Sequence, residues 1–205
     1  MALSTQFDPI FRQHGDGIPV AFLRALAQRE SGMNPRANAG QAAAQGLLQI
    51  VGVARDGYNQ RHGTAYTRDD TLDPVVNVRI AVDLLKTIIR AYGKHPSKVL
   101  HADWASPEFV KLLVAGWNAG YSEGGGVGKV ASYLEQRSKP VTHATVVANA
   151  GAAGATANLG NANRAAWHRS VADLYMDQPD RPRGIPLAGI AVAILASVLG
   201  YRLLT

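Results

Sequence analysis

Residues 25–50 read ALAQRESGMNPRANAGQAAAQGLLQI, and a single acid, Glu30, stands among them. Leu23, Leu26 and Ala27 lie at i, i+3 and i+4, and Glu30 continues the row at i+7, so all four share one face of an α-helix. Ser31, Gly32 and Pro35 then end the helix. The pattern puts an ionisable group at the end of a stripe that should face the core. A carboxyl withdrawn from water favours its neutral form, and its pKa rises. A protonated carboxylic acid near neutral pH is a general acid, the group that cleavage of a glycosidic bond requires at the leaving oxygen. A lone Glu at a helix end also fits a plainer reading, a side chain bent out to water.

The helical reading extends outward. PVAFLRALAQRES (19–31) opens with Pro19 at a first helical position. DPVVNVRIAVDLLKTIIRAYG (73–93) has Asp73 as its N-cap, Gly93 as its stop, and Val78, Val82, Leu85 and Ile89 on its apolar face. SPEFVKLLVAGWNAG (106–120) repeats the pattern with a Ser cap, Pro107 at the first helical position and Glu108 in the first turn. VGKVASYLEQRSK (127–139) is a shorter helix, and 32–45, 60–72 and 93–105 carry the Gly, Asn, Pro and Asp of loops. No segment alternates polar and apolar residues long enough to be a strand. The expected fold class is mainly α, with a helical domain over 1–139.

From Pro140 the composition turns to Ala, Gly, Asn and Thr, and VTHATVVANAGAAGATANLGNAN (141–163) reads as a loosely ordered linker. Residues 140–183 are therefore expected to be a tether carrying one short amphipathic helix over 162–178, which buries Trp167, Val171, Leu174 and Tyr175. GIPLAGIAVAILASVLGY (184–201) holds no charge, with Arg181 and Arg183 before it and Arg202 after. It is just long enough for a membrane span and apolar all round, so 184–205 is expected to be a C-terminal transmembrane segment. Gly189, Ala193 and Ser197 recur every four residues, as suits packing against another span. The alternative is a buried helix packed on the domain.

The chain has 205 residues, a formal charge of +6 and no cysteine, and its pI is about 9.8. A basic protein favours an acidic partner such as nucleic acid, anionic lipid or an anionic wall polymer. The positive charge is spread rather than clustered, so specific nucleic-acid binding is not expected. Without cysteine there is neither a disulfide framework nor thiol chemistry. The histidines at 14, 62, 95, 101, 143 and 168 show no metal-binding spacing, and no metal or cofactor is expected. The start, MALSTQFDPIFRQ, lacks the basic head and apolar run of a secretory signal.

Several short motifs follow one another in order. Glu30-Ser31, Asn34-Pro35, Ala37, Gly40 and Ala44-Gln45-Gly46-Leu47-Leu48-Gln49-Ile50 come first, then Asp73-Pro74 with Asn77-Val78. Ala115-Gly116-Trp117-Asn118-Ala119-Gly120 follows, and then Val130 with Tyr133. Together they resemble the soluble-lytic-transglycosylase family, whose forms are E-S, N-P-x-A, G-A-x-G-L-M-Q-I, D-P-x-x-N-I, A-Y-N-A-G and V-x-x-Y. The resemblance runs from about residue 18 to 137. It implies a lysozyme-like helical fold and cleavage of peptidoglycan at the β-1,4 bond between N-acetylmuramic acid and N-acetylglucosamine, leaving a 1,6-anhydro end. It implies Glu30 as the catalytic residue, first giving a proton to the leaving oxygen and then taking one from the muramyl C6 hydroxyl. It implies Ser31, Gln49, Trp117, Asn118 and Tyr133 as substrate-binding residues.

There are departures. Trp117 stands where the family has tyrosine, and is expected to stack on a sugar but to lack the hydroxyl that would bond the acid. Asn38 to Ala43 differ from the family's serine-rich loop, and EGGGVGK (123–129) reads as a flexible rim of the cleft. The implied substrate lies outside the bacterial membrane, while Arg181 and Arg183 favour an inward-facing domain. The expectation that joins these points is a bacteriophage virion protein, anchored by 184–205 and opening the host wall during DNA ejection. Its partners would be glycan strands, a membrane, and other virion or membrane proteins. Two readings stay open beside it. One is a goose-type lysozyme-like hydrolase in which Asp56, Asp69, Asp70 or Asp73 activates water. The other is a non-catalytic membrane-anchored protein that binds glycan.

Overall fold

Side-chain caps start four of the eight α-helices among the described residues. The computed structural model describes residues 3–38 and 44–182. Among them the helices are α1 (Asp8–His14), α2 (Val20–Ser31), α3 (Gly52–His62), α4 (Pro74–Tyr92), α5 (Pro107–Ala119), α6 (Val127–Glu135), α7 (His143–Asn149) and α8 (Ala162–Met176). Asp73 starts α4 by accepting from the backbone N–H of Val75 at 2.7 Å and Val76 at 3.2 Å. Ser106 starts α5 by accepting from Phe109 N–H at 3.3 Å. Asp73→Ala removes the α4 cap from an exposed position, and is expected to lower stability by about 1 kcal/mol with an unchanged denaturant slope in urea melts.

The core is built around α5. Its Phe109, Val110, Leu112, Leu113, Val114 and Ala115 are fully buried, and α4, α6, α7 and α8 all pack on it. The α4 face carries Val78, Val82 and Leu85 inward as the spacing predicts, with Ile89 half-buried. In turn, α1 packs on α2 and α4, α3 packs on α4, and α8 lies against α2. No strand ladder forms among the described residues, only isolated bridges at Asn38–Gln45 and Gln45–Ile50. The mainly helical expectation therefore holds.

The expected tether does not. Between 140 and 182 the chain folds back onto the preceding helices. Thr142 and Thr145 form a reciprocal capping box at the start of α7, and Val146 and Leu159 have no exposed surface. Thr156 Oγ1 donates to the Ala119 carbonyl at 2.9 Å. In α8, Val171 and Tyr175 are buried as expected, but Trp167 and Leu174 are only half-buried, and Ala165, His168 and Ala172 complete the inner face. Alanine and glycine look like linker composition when counted, yet in packed helices they allow close backbone approach.

Two clusters clamp this segment. Phe22, Trp104, Phe109 and Tyr175 meet edge-on or tilted, with ring centroids 5.1 to 6.2 Å apart. Buried Arg24 of α2 donates to both oxygens of buried Asp8, at 3.0 and 2.7 Å, and reaches Asp180 at 3.0 Å and Gln178 at 3.3 Å. The apolar stretch 184–201 lies outside the described residues. Among the described residues, no helix is long and apolar enough to cross a membrane.

Candidate active site

Glu30 sits in the last turn of α2, where Gly32 adopts a left-handed φ of 62° and its N–H caps the carbonyls of Ala27 and Gln28. That stop ends the helix one residue beyond Glu30. Across from it, α5 brings Trp117, whose Nε1–H donates to Glu30 Oε1 at 2.7 Å. The indole N–H thus gives the acid a donor in place of the missing hydroxyl. Burial is the largest influence on the Glu30 carboxyl and raises its pKa to about 7, against the opposing pull of the Trp117 hydrogen bond and the Arg164 charge.

The turn at Gln45–Ile50 forms the opposite wall. Gln45 and Ile50 exchange backbone hydrogen bonds at 3.0 and 2.8 Å, with Gly46 at φ 78° and Gln49 at φ 48°. Asn77, one turn into α4 and fully buried, holds this turn. It accepts from Leu48 N–H at 2.8 Å and donates to the carbonyls of Gln45 at 3.0 Å and Thr71 at 2.7 Å. A Cβ on Gly46 would lie 2.3 Å from both Asn77 Nδ2 and the Thr71 carbonyl, so glycine is required there on two counts. The D-P-x-x-N motif therefore has a physical purpose: Asp73 starts α4, and Asn77 fixes the turn that carries Gln49. Ser31 adds a tie from the other side, its hydroxyl donating to the Leu47 carbonyl at 2.7 Å.

Two depressions meet at Glu30. One, of about 420 Å³, is lined by Gln49, Ile50, Ala54, Leu84 and Trp117 among others. The other, of about 520 Å³, is lined by Arg29, Asn161, Asn163 and Trp167. Glu30, Asn118 and Arg164 line both, so they stand at the crossing of one open groove.

The expected site residues divide accordingly. Glu30, Gln49, Trp117 and Asn118 come together. Gln49 is not a helix cap: its amide donates to the Gly46 carbonyl at 2.9 Å within the turn. Ser31 lies beside Glu30 but uses its hydroxyl on the turn. Tyr133 lies on α6 under the Arg137 guanidinium, 3.7 Å from the ring centroid, and lines neither depression. The glycine-rich stretch lines neither depression; Gly126 packs on Gly120, where a Cβ would sit 2.2 Å from the Gly120 carbonyl oxygen. Arg164, Asn158 and Trp167 were missed, because all three belong to the segment read as a tether. Among the described residues no group of three or more His, Asp or Glu side chains is placed to hold a metal.

Trp117→Phe keeps the aromatic bulk and removes the N–H. It is expected to lower kcat by roughly tenfold or more, the value of a hydrogen bond to a charged group. It should also move the alkaline limb of the pH profile upward, because the lost bond favoured the carboxylate. Unchanged kcat and pH limb would show that the bond does not act on the acid.

A sequence model described as the transglycosylase SLT domain matches residues 9–140, more than half of the chain. No curated protein matches. Among solved structures, the 70 kDa soluble lytic transglycosylase of Escherichia coli is 18% identical with a TM-score of 0.59, over 84% of this chain and 24% of that one. An inactive mutant of the lytic transglycosylase Slt from Pseudomonas aeruginosa is 15% identical with a TM-score of 0.58, over 88% of this chain and 26% of that one. A complex of the 70 kDa enzyme with bulgecin A gives 17% identity and a TM-score of 0.58. The chain spans about a quarter of the length of the structures it matches, and at these identities the likeness is one of fold. By its match over residues 9–140, the chain belongs to the transglycosylase SLT domain family.

Proposed function

We propose that the protein is a peptidoglycan lytic transglycosylase that cleaves the β-1,4 bond between N-acetylmuramic acid and N-acetylglucosamine. The observation that carries this reading is Glu30: the only acid lining the groove among the described residues, raised by burial to a pKa of about 7 and held by Trp117. A carboxyl with that pKa is present in both protonation states near neutral pH, as a residue acting first as acid and then as base requires. Protonated Glu30 gives its proton to the leaving glycosidic oxygen. The resulting carboxylate takes the proton of the muramyl C6 hydroxyl as that oxygen attacks C1, closing the 1,6-anhydro ring. The Trp117 N–H steadies the carboxylate between the two steps.

A two-carboxylate hydrolase needs a second acid in the groove, either to activate water or to attack C1. Asp56 is paired with Arg55, Asp70 accepts from Thr67, and Asp73 caps α4. Neither these nor Asp69 line the groove, which favours intramolecular attack over hydrolysis. A purely glycan-binding role leaves the half-buried, raised carboxyl without a purpose.

Glu30 gives the reaction a pH dependence. The proton donor is the neutral form, so kcat/KM for wall clearing should be full at pH 5–6 and fall through about pH 7, tenfold per unit above it. Arg164→Gln removes a charge that favours the carboxylate and should move that limb upward. A rate that stays flat to pH 9 at constant ionic strength contradicts the assignment.

The uncharged stretch 184–201, flanked by arginines, supports a further proposal of membrane anchorage, and with it a virion-associated enzyme that opens the wall during phage DNA ejection. Detection of the protein in purified virions supports that setting; its absence from them removes it.

A further inference from the structure

Asn118, at the crossing of the groove, is held by Arg164 and His168 of α8, and His168 in turn meets His143 of α7. Arg164 donates to Asn118 Oδ1 at 3.0 Å, and His168 Nε2 lies 3.3 Å from the same atom. His168 Nδ1 lies 3.2 Å from His143 Nε2, and the backbone N–H of His143 donates to Glu108 Oε2 at 2.8 Å. His168 is fully buried and His143 is 2% exposed.

Donor chemistry fixes every orientation in this chain. A guanidinium carries only donors, so the Asn118 atom it meets must be the oxygen. His168 Nε2, meeting that oxygen, must carry its proton. A neutral His168 then presents Nδ1 as an acceptor, and His143 Nε2 must donate to it. Burial favours the neutral ring in both cases, drawing the pKa down to about 4 for His143 and about 3 for His168. The pair therefore keeps this pattern throughout the working pH range. Asn118 Oδ1 is occupied by two donors, while its NH₂ group has no partner among the described residues.

We propose that His168, locked by His143, is a positioning residue that turns the Asn118 amide so that its NH₂ group, and not its oxygen, faces the groove. Asn118 then reads an acceptor on the substrate, such as the acetamido carbonyl of an N-acetyl sugar, and rejects a donor in the same place. The inference rests on the glycan-cleaving function proposed above. It assigns part of the site to the residues after 140, beyond the reach of the family match.

The test is a double-mutant cycle on the full chain, read as kcat/KM on soluble, peptide-free glycan strands. His168→Leu should lower kcat/KM about tenfold, and Asn118→Ala by a similar factor. In the Asn118→Ala background, His168→Leu should cost less than a further threefold, because its partner is gone. His168→Gln, which keeps an N–H donor, should recover activity to within threefold of the unaltered chain. An equal loss from His168→Leu in both backgrounds, or no loss in either, overturns the positioning role. Nitrogen-15 shifts of the unaltered protein at pH 6 must show both imidazoles as neutral Nε2–H tautomers. An Nδ1–H His168 overturns the role even if the variants fail to fold. If the unaltered chain does not cleave the strands at all, the functional reading falls and this inference with it.

Discussion

Glu30→Gln should reduce wall clearing by about a thousandfold or more while leaving glycan binding nearly intact. The amide matches the carboxyl in shape and its oxygen still accepts from the Trp117 indole, so the groove keeps its form. What disappears is the exchangeable proton, used once as acid and once as base, and general acid–base groups are each worth roughly 10² to 10⁴ in rate. Zymography on purified wall, paired with sedimentation binding to the same wall, checks both halves. Clearing by Glu30→Gln at a rate near the wild type would remove Glu30 from the mechanism.

The same substitution has a signature in stability. The folded pKa of Glu30, about 7, lies above the ordinary carboxylate range, so the folded state holds a proton that the unfolded chain gives up first. Whatever stability protonated Glu30 contributes is present below the unfolded pKa and is lost as pH rises through about 7. Glu30→Gln should therefore melt above the wild type at pH 8, with the difference shrinking towards pH 5. A strained acid at the site is the cost of having a proton donor at neutral pH.

Cutting the chain after 139 should abolish folding and activity together. Val146, Leu159, Val171 and Tyr175 are fully buried, and each such side chain is worth roughly 1.5 to 3 kcal/mol of burial. Their sum alone falls within the roughly 5–15 kcal/mol that keeps a typical domain folded. The cut also strips Gln178 and Asp180 from buried Arg24, and exposes the α5 and α2 surfaces that α8 covers. Arg164 leaves the groove as well. Residues 1–139 are expected to show no cooperative melt and no wall clearing, whereas 1–182 should show both. A cooperative transition with normal clearing in 1–139 would contradict the packing described for α7 and α8.

Much of this was legible in the sequence for local reasons. Asp73 and Ser106 cap the helices they precede, because a short polar side chain before an apolar-periodic run has one obvious use. Glu30 was legible because helical spacing placed it on the inner stripe. The Trp117–Glu30 bond was not, since it joins residues 87 apart and depends on where the fold places α5 relative to α2. Asn77 was visible only as a letter in a motif, and its clamp on the Gln45–Ile50 turn needed the fold. The 140–182 segment misled because counting alanine and glycine is blind to the Thr142–Thr145 cap and to the close packing small residues permit. Arg164 stands on the exposed side of α8, where nothing in the period marks it as functional. Tyr133 matched a motif in residue type, but a matching letter does not say which way a ring points.

One carboxyl acts alone in this mechanism, and the product records that directly. Mass spectrometry of the fragments that the full chain releases from purified peptidoglycan should show muramyl ends one water lighter than free reducing ends, the mark of 1,6-anhydro closure. Fragments ending in reducing N-acetylmuramic acid would mean that water made the attack, and would contradict the single-acid mechanism.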